Sequence, residues 1–158
     1  WLLRHEPAKL LWKNIVRGFA ILAFLAALMI IPGSTQKTPE ETFGETWSPE
    51  KRSGLLEGGD AVFVEMTAAW CITCKVNHAV AIDTPATRRL FHERGVQYLV
   101  GDWTSQDPRI TEYLNGFGRN GVPIYVYYGP RSSGVRPEPV LLPQILTPGI
   151  VAKAVTGN

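Results

Sequence analysis

The segment VFVEMTAAWCITCK, Val62 to Lys75, constrains the fold more than any other stretch of this chain. Ala61 to Thr67 is rich in strand-forming residues and is preceded by Gly58-Gly59, so it reads as a buried strand. A helix is expected from about Cys71, because Lys75, Val76, Ala79, Val80 and Ile82 recur at helix-compatible spacing. The only two cysteines, Cys71 and Cys74, therefore fall where a buried strand hands over to a helix.

The rest of the C-terminal part alternates in the same way. Thr84-Pro85, Asp107-Pro108 and Thr147-Pro148 each place a capping side chain before a proline. The cap oxygen takes a free N–H of the first helical turn, and proline has no N–H to leave unpaired there. The first of these helices runs through ATRRLFHER and stops at Gly95, which suits a left-handed C-terminal position. The second, RITEYLNGF, ends near Gly116 or Gly118. VQYLVGDW and VPIYVYYG read as strands and PVLL as a short partner strand. The order strand, helix, helix, strand, helix, strand, strand, helix predicts an α/β domain with a mixed central sheet and helices on both faces.

The N-terminal part differs in kind. Gly18 to Ile31 is uncharged and almost wholly apolar over 14 residues. A helix of that length reaches only ~21 Å, short of a ~30 Å hydrocarbon core. Extension back through Val16, Ile15 and Trp12 closes the gap if Arg17 and Lys13 snorkel. A transmembrane helix is thus expected over about 12–31, within a membrane segment 1–32. Arg4, Lys9, Lys13 and Arg17 precede it against one acid, Glu6, which places the N-terminal side in the cytoplasm and the remainder outside. A signal peptide shares this layout, but no small-x-small site closes the run; a buried core helix is the other competing reading. The residues after Pro32, rich in Pro, Gly, Thr and acids, are expected to form a periplasmic linker over 33–46, with the folded domain at 47–158. The chain opens on Trp1 instead of Met, as expected of a piece of a longer protein. The formal net charge of +2, with no basic cluster interleaved with aromatics, gives no sign of nucleic-acid binding.

A C-x-x-C pair can staple, hold a metal or exchange electrons. Exchange needs a thiolate, which the positive end of a helix stabilises. In that reading Cys71, nearer the helix end and the surface, is the nucleophile, and Cys74, half buried, resolves the mixed disulfide. Zinc would need two further ligands, and Cys71, Cys74, His78 and His92 do not have finger spacing. A purely structural disulfide over so short a loop would constrain little of the unfolded chain.

These residues also carry a resemblance. VFVEMTAAWCITCK, followed by GVPIYVYY, resembles the thioredoxin superfamily. AAWCITCKVN, GDWTSQDPRITEYLNGFGRNGVPIYVYY and the upstream apolar helix are similar, more narrowly, to one group within it. That group is the C-terminal domain of DsbD- and ScsB-type transmembrane thiol:disulfide interchange reductases. The resemblance covers roughly Thr42 to Asn158 and extends to the preceding span. It implies a thioredoxin-like fold and a cis-proline at Pro123 that helps dock an extended substrate, with Val122 offering backbone groups to the partner. Without it, Pro123 would read equally as a trans proline opening an edge strand. Glu65 matches the buried acid placed beneath the cysteines, where it would relay a proton for Cys74; simple strand alternation would instead point it at solvent. Trp70 matches the family tryptophan that shields one side of the site, although a plain core aromatic would look the same. His78 departs from the pattern, since relatives of the reductase type often carry an acid there. Lying one turn after Cys74, it would favour the thiolate when protonated, or serve as an ordinary surface histidine. Trp103 is assigned to packing.

The function expected is a protein-disulfide reductase of the bacterial inner membrane, with its thioredoxin-like domain in the periplasm. It would take electrons from a membrane-domain cysteine pair of the same longer protein and pass them to a periplasmic disulfide protein or domain. The cysteines themselves are the redox group, so no cofactor or metal is expected. Alternatives are a stand-alone membrane-anchored thioredoxin-like protein of the cytochrome c maturation type, a periplasmic thiol oxidase, a non-catalytic docking module and a zinc-dependent module.

Overall fold

Six of the seven residues of β2 (Ala61–Thr67) are buried, on both of its faces, and this strand lies at the centre of the sheet. The structure is a computed structural model that describes residues 43–157, which fall within a compact unit spanning Glu41–Asn158. Four further strands flank β2: β1 (Glu45–Thr46), β3 (Val96–Asp102), β4 (Ile124–Tyr128) and β5 (Val140–Leu141). Their spatial order is β1-β3-β2-β4-β5. β3 runs parallel to both β1 and β2, whereas β4 is antiparallel to β2 and β5 to β4. The mixed sheet expected from the sequence is therefore present. The expected membrane segment lies outside the described residues; among the described residues, no helix is long and apolar enough to cross a membrane.

Helices cover both faces: α1 (Pro49–Gly58), α2 (Ile72–Asn77), α3 (Pro85–Glu93), α4 (Pro108–Gly116) and α5 (Pro148–Thr156). The odd positions of β2 point to one side, where Phe63 packs with Tyr98, Tyr125, Ile82, Phe91 and Val151. Val62, Val64 and Met66 point to the other, against Leu99, Tyr113 and Leu114. A central strand covered on both faces need not alternate in polarity, which is why a run such as AVFVEMT is nearly continuous in apolar residues.

Thr84, Asp107 and Thr147 cap α3, α4 and α5 as expected, accepting from Thr87 N (3.2 Å), Arg109 N (2.8 Å) and Ile150 N (3.3 Å). Gly95 takes its left-handed conformation after α3 at φ +61°. The same proline signal also opens α1, where Ser48 Oγ accepts from Lys51 N at 3.1 Å and Pro49 follows. The sequence gives that helix no apolar period, because none of its residues is fully buried. Leu55 and Leu56 pack only partly against the core.

The expected linker boundary of 33–46 is likewise too far along the chain. Glu45 and Thr46 pair with Leu99 and Val100, and Trp47 N donates to Val100 O at 2.8 Å. Phe43 stacks at 4.9 Å from Tyr98 and 5.8 Å from Phe91. Polar composition did not prevent this segment from joining the domain, because backbone pairing and one aromatic suffice to anchor a two-residue edge strand. Gly44 fits this approach at φ +102°, where an added Cβ would come within 2.7 Å of the Tyr98 ring.

The helix after β2 is also differently faced. α2 gives way at His78 to a π-helical turn over His78–Ile82. Its buried side consists of Cys74, Asn77, Ala81 and Ile82, while Val76 and Val80 stand exposed. A polar residue in the buried stripe and the wider π turn obscured the apolar period.

Candidate active site

Cys71 and Cys74 are joined in a disulfide with Cα atoms 5.3 Å apart. Cys71 is the N-cap of α2, and its Sγ accepts from Cys74 N at 3.1 Å. The sulfur that would carry charge on reduction thus already faces an amide donor at the helix end. Cys71 is 7 % exposed and Cys74 only 1 %. The order of exposure agrees with nucleophile and resolving roles, but Cys74 is fully buried, not half buried as the sequence suggested. Burial of that degree disfavours a free thiolate.

Both cysteines pack with Ala68 and with the partly buried Val122. The Val122–Pro123 peptide bond is cis and Pro123 is buried, placing this turn beside the disulfide at the start of β4. Trp70 is 54 % exposed, so the plain core reading of it does not hold. Its indole N–H donates to Thr104 O at 3.2 Å, and its ring lies 6.0 Å from that of Trp103. Trp103 is buried and bonded to Thr111 Oγ1 at 2.9 Å, a packing role as expected. Thr104 also accepts from Ala69 N at 2.7 Å, so the loop after β3 fixes the turn that leads into Cys71. Nothing in the sequence marked Thr104, because its contacts span about a fifth of the chain.

Glu65 is 1 % exposed, which rules out the solvent-facing reading. Its Oε2 accepts a hydrogen bond from Tyr98 Oη and lies 3.3 Å from His78 Nδ1, whereas Oε1 is buried with no partner. Burial above all, and then the Glu65 charge, push the Tyr98 hydroxyl far above its ordinary range, so it stays a donor. His78 is raised above its ordinary value chiefly by its hydrogen bond to Glu65; partial burial opposes this, Asp83 adds to it and Arg88 subtracts. His78 Nε2 lies 3.9 Å from Asp83 Oδ2, and Arg88 Nε bonds Asp83 Oδ1 at 2.5 Å. The sequence therefore placed His78 on the correct helix, but the group it faces is the buried acid.

Asn77 was not singled out. Its side chain is buried, donating to Tyr125 Oη (3.1 Å) and Gln144 O (2.6 Å) and accepting from Leu146 N (3.2 Å). It fastens α2 to the loop before α5. The two thiols are joined in a disulfide, and among the described residues no three His, Cys, Asp or Glu side chains gather in one place.

A disulfide at the mouth of a helix after the central strand of a mixed sheet, facing a cis-proline, defines a thioredoxin-like thiol:disulfide oxidoreductase fold. A thioredoxin-like family model matches residues 44–130, more than half of the chain, and the chain belongs to that family. Among solved structures it is similar to the reduced C-terminal domain of DsbD from Neisseria meningitidis, with 25 % identity and a TM-score of 0.50 over 67 % of this chain and 88 % of that one. The oxidised form of the same domain aligns at 22 % identity and TM-score 0.51, covering 69 % of this chain and 95 % of that one. A thioredoxin from Thermus thermophilus shares the fold at 17 % identity and TM-score 0.56, covering 73 % of this chain and 86 % of that one. No curated protein sequence matches the chain.

Proposed function

We propose that this protein is a protein-disulfide reductase of the DsbD type, held in the bacterial inner membrane with its thioredoxin-like domain in the periplasm. In this reading a membrane cysteine pair of the same longer protein reduces Cys71–Cys74. Cys71 then attacks a disulfide of a periplasmic partner, and Cys74 resolves the mixed disulfide. The linker before the domain lets it travel between donor and acceptor. The observation that carries the proposal is the disulfide at the N-cap of α2, with Cys71 the more exposed sulfur and Cys74 sealed beneath it. The similarity to the Neisseria domain supports the choice of reductase within the family.

Trapping tests it. Reduced Cys74→Ser chain mixed with insulin should accumulate a mixed disulfide through Cys71 that dithiothreitol releases, and Cys71→Ser chain should form none. Equal adducts in both variants, or none in either, would overturn the exchange roles. Protease access to the C-terminal domain from outside spheroplasts tests the placement; protection there, with cleavage only after lysis, would contradict it.

A further inference from the structure

Resting on the exchange reading above, we propose that Thr104 is a positioning residue for that exchange: it holds Trp70 in the orientation in which a disulfide-bearing partner protein docks beside Cys71. β2 and β3 end side by side, with Thr67 opposite Asp102, and Trp103 N donates to Thr67 O at 2.7 Å one residue further on. Each strand then leads into a turn. Cys71 N closes the first onto Ala68 O at 3.0 Å, with Ala69 and Trp70 at its centre. Gln106 N closes the second onto Trp103 O at 2.9 Å, with Thr104 and Ser105 at its centre.

Thr104 joins the two turns. Its Oγ1 accepts from Ala69 N at 2.7 Å and its carbonyl accepts from the Trp70 indole N–H at 3.2 Å, so one residue holds both central residues of the turn before Cys71. Thr104 is itself fixed from behind, because Asp102 Oδ1 accepts from Thr104 N at 2.8 Å and also from the Thr104 hydroxyl. With its only proton committed to Asp102, that hydroxyl keeps its lone pairs for Ala69 N. Trp70 directly precedes Cys71 and is 54 % exposed, and the bond to Thr104 O is the one hydrogen bond of its side chain among the described residues. A free indole would have to be immobilised whenever a partner docked on it, which weakens binding by roughly two- to tenfold. The Thr104 clamp immobilises it beforehand.

In the exchange that this serves, the Cys71 thiolate attacks one sulfur of the partner's disulfide. The Cys71–partner bond forms and the partner's other sulfur leaves as a thiolate. Cys74, as its thiolate, then attacks Cys71 Sγ, re-forming the Cys71–Cys74 bond and expelling the second partner thiolate. Two electrons pass from the pair to the partner, whose two thiolates take up the protons released as the pair's thiols ionise.

The test compares two disulfides attacked by the same sulfur. Reduced full chain is mixed with insulin, which offers a protein surface, or with hydroxyethyl disulfide, which offers none, and the second-order rate constants are read by acid quenching and thiol alkylation. Thr104→Val should lower the insulin-to-hydroxyethyl-disulfide rate ratio by roughly two- to tenfold, and Thr104→Ser, which keeps the hydroxyl, should restore it. Loss of folded protein would slow both reactions alike and leave the ratio where it was, so an unchanged ratio in Thr104→Val would overturn the proposal whatever the absolute rates. A ratio that serine does not restore would overturn the role of the hydroxyl. Trp70→Phe, which lacks the indole N–H, should lower the ratio by itself, and adding Thr104→Val to it should lower it no further. A full further fall in that double variant would overturn action through Trp70. A wild-type chain that reduces neither disulfide would instead strike the exchange reading on which the proposal rests.

Discussion

Replacing Asn77 by alanine should destabilise the oxidised chain by about 2–6 kcal/mol. The figure follows from the partners left behind. In buried surroundings, Leu146 N loses its acceptor and Tyr125 Oη loses the Asn77 donor. A buried polar group left without a partner costs about 1–3 kcal/mol. Gln144 O lies on an exposed residue and can turn to water, so it adds little. Urea unfolding followed by circular dichroism would measure the loss, with the slope unchanged if the unfolded ensemble is unaffected. The melting temperature should fall by roughly 10 °C or more. Hydrogen exchange adds a local readout, because the Leu146 amide should lose protection before the centre of β2 does. A loss below about 0.5 kcal/mol, with Leu146 still protected, would refute the claim that Asn77 fastens α2 to the loop before α5.

Other outcomes can be stated more briefly. Gly101→Ala should cost about 1–3 kcal/mol by overpacking, because a Cβ there would run into Met66 Sδ and approach Ile110 Cδ1 to 3.3 Å; a neutral result in thermal unfolding would contradict the close approach of β2 and β3. The His78 pair should make stability pH-dependent. The Glu65 hydrogen bond raises His78 above its ordinary 6.5, so its contribution is complete below that value and is lost as pH rises through the raised one. As pH rises from 6.5 through the raised value, the wild-type chain should therefore lose more stability than His78→Gln, and parallel curves would show that the pair is not formed. Asp83 works in the other direction. Arg88 holds it below its ordinary range, so its contribution is present above 3.8 and fades as pH falls through the lowered value, which Asp83→Asn should abolish.

Where the sequence was informative, the signal was local. The strand over Ala61–Thr67 has the same bounds in the structure, and the cap-then-proline pairs mark three helix starts because the atoms that make a cap lie within one turn. The cysteine pair was legible for the same reason. The missed features depend on partners far along the chain. β1 is only two residues long and exists because β3 offers it an edge. Tyr98 and His78 meet Glu65 from 33 and 13 residues away, and Asn77 reaches across 67 and 69 residues to the loop before α5. α1 is the instructive exception: Ser48-Pro49 was a readable start, but the helix buries no residue fully and so carries no apolar period. In the site, Cys71, Cys74 and Val122 pack together, whereas the acid's environment had to be seen. An acid in a central strand was the clue, since such a residue must find donors or carry a function.

The most direct test of the central claim is the reduction potential of Cys71–Cys74 in the full chain, equilibrated against glutathione and dithiothreitol buffers. An electron donor should lie near or below about −200 mV, toward the thioredoxin end of the scale. A value near about −120 mV, where strong oxidants lie, would contradict the reductase account and assign the pair to disulfide formation.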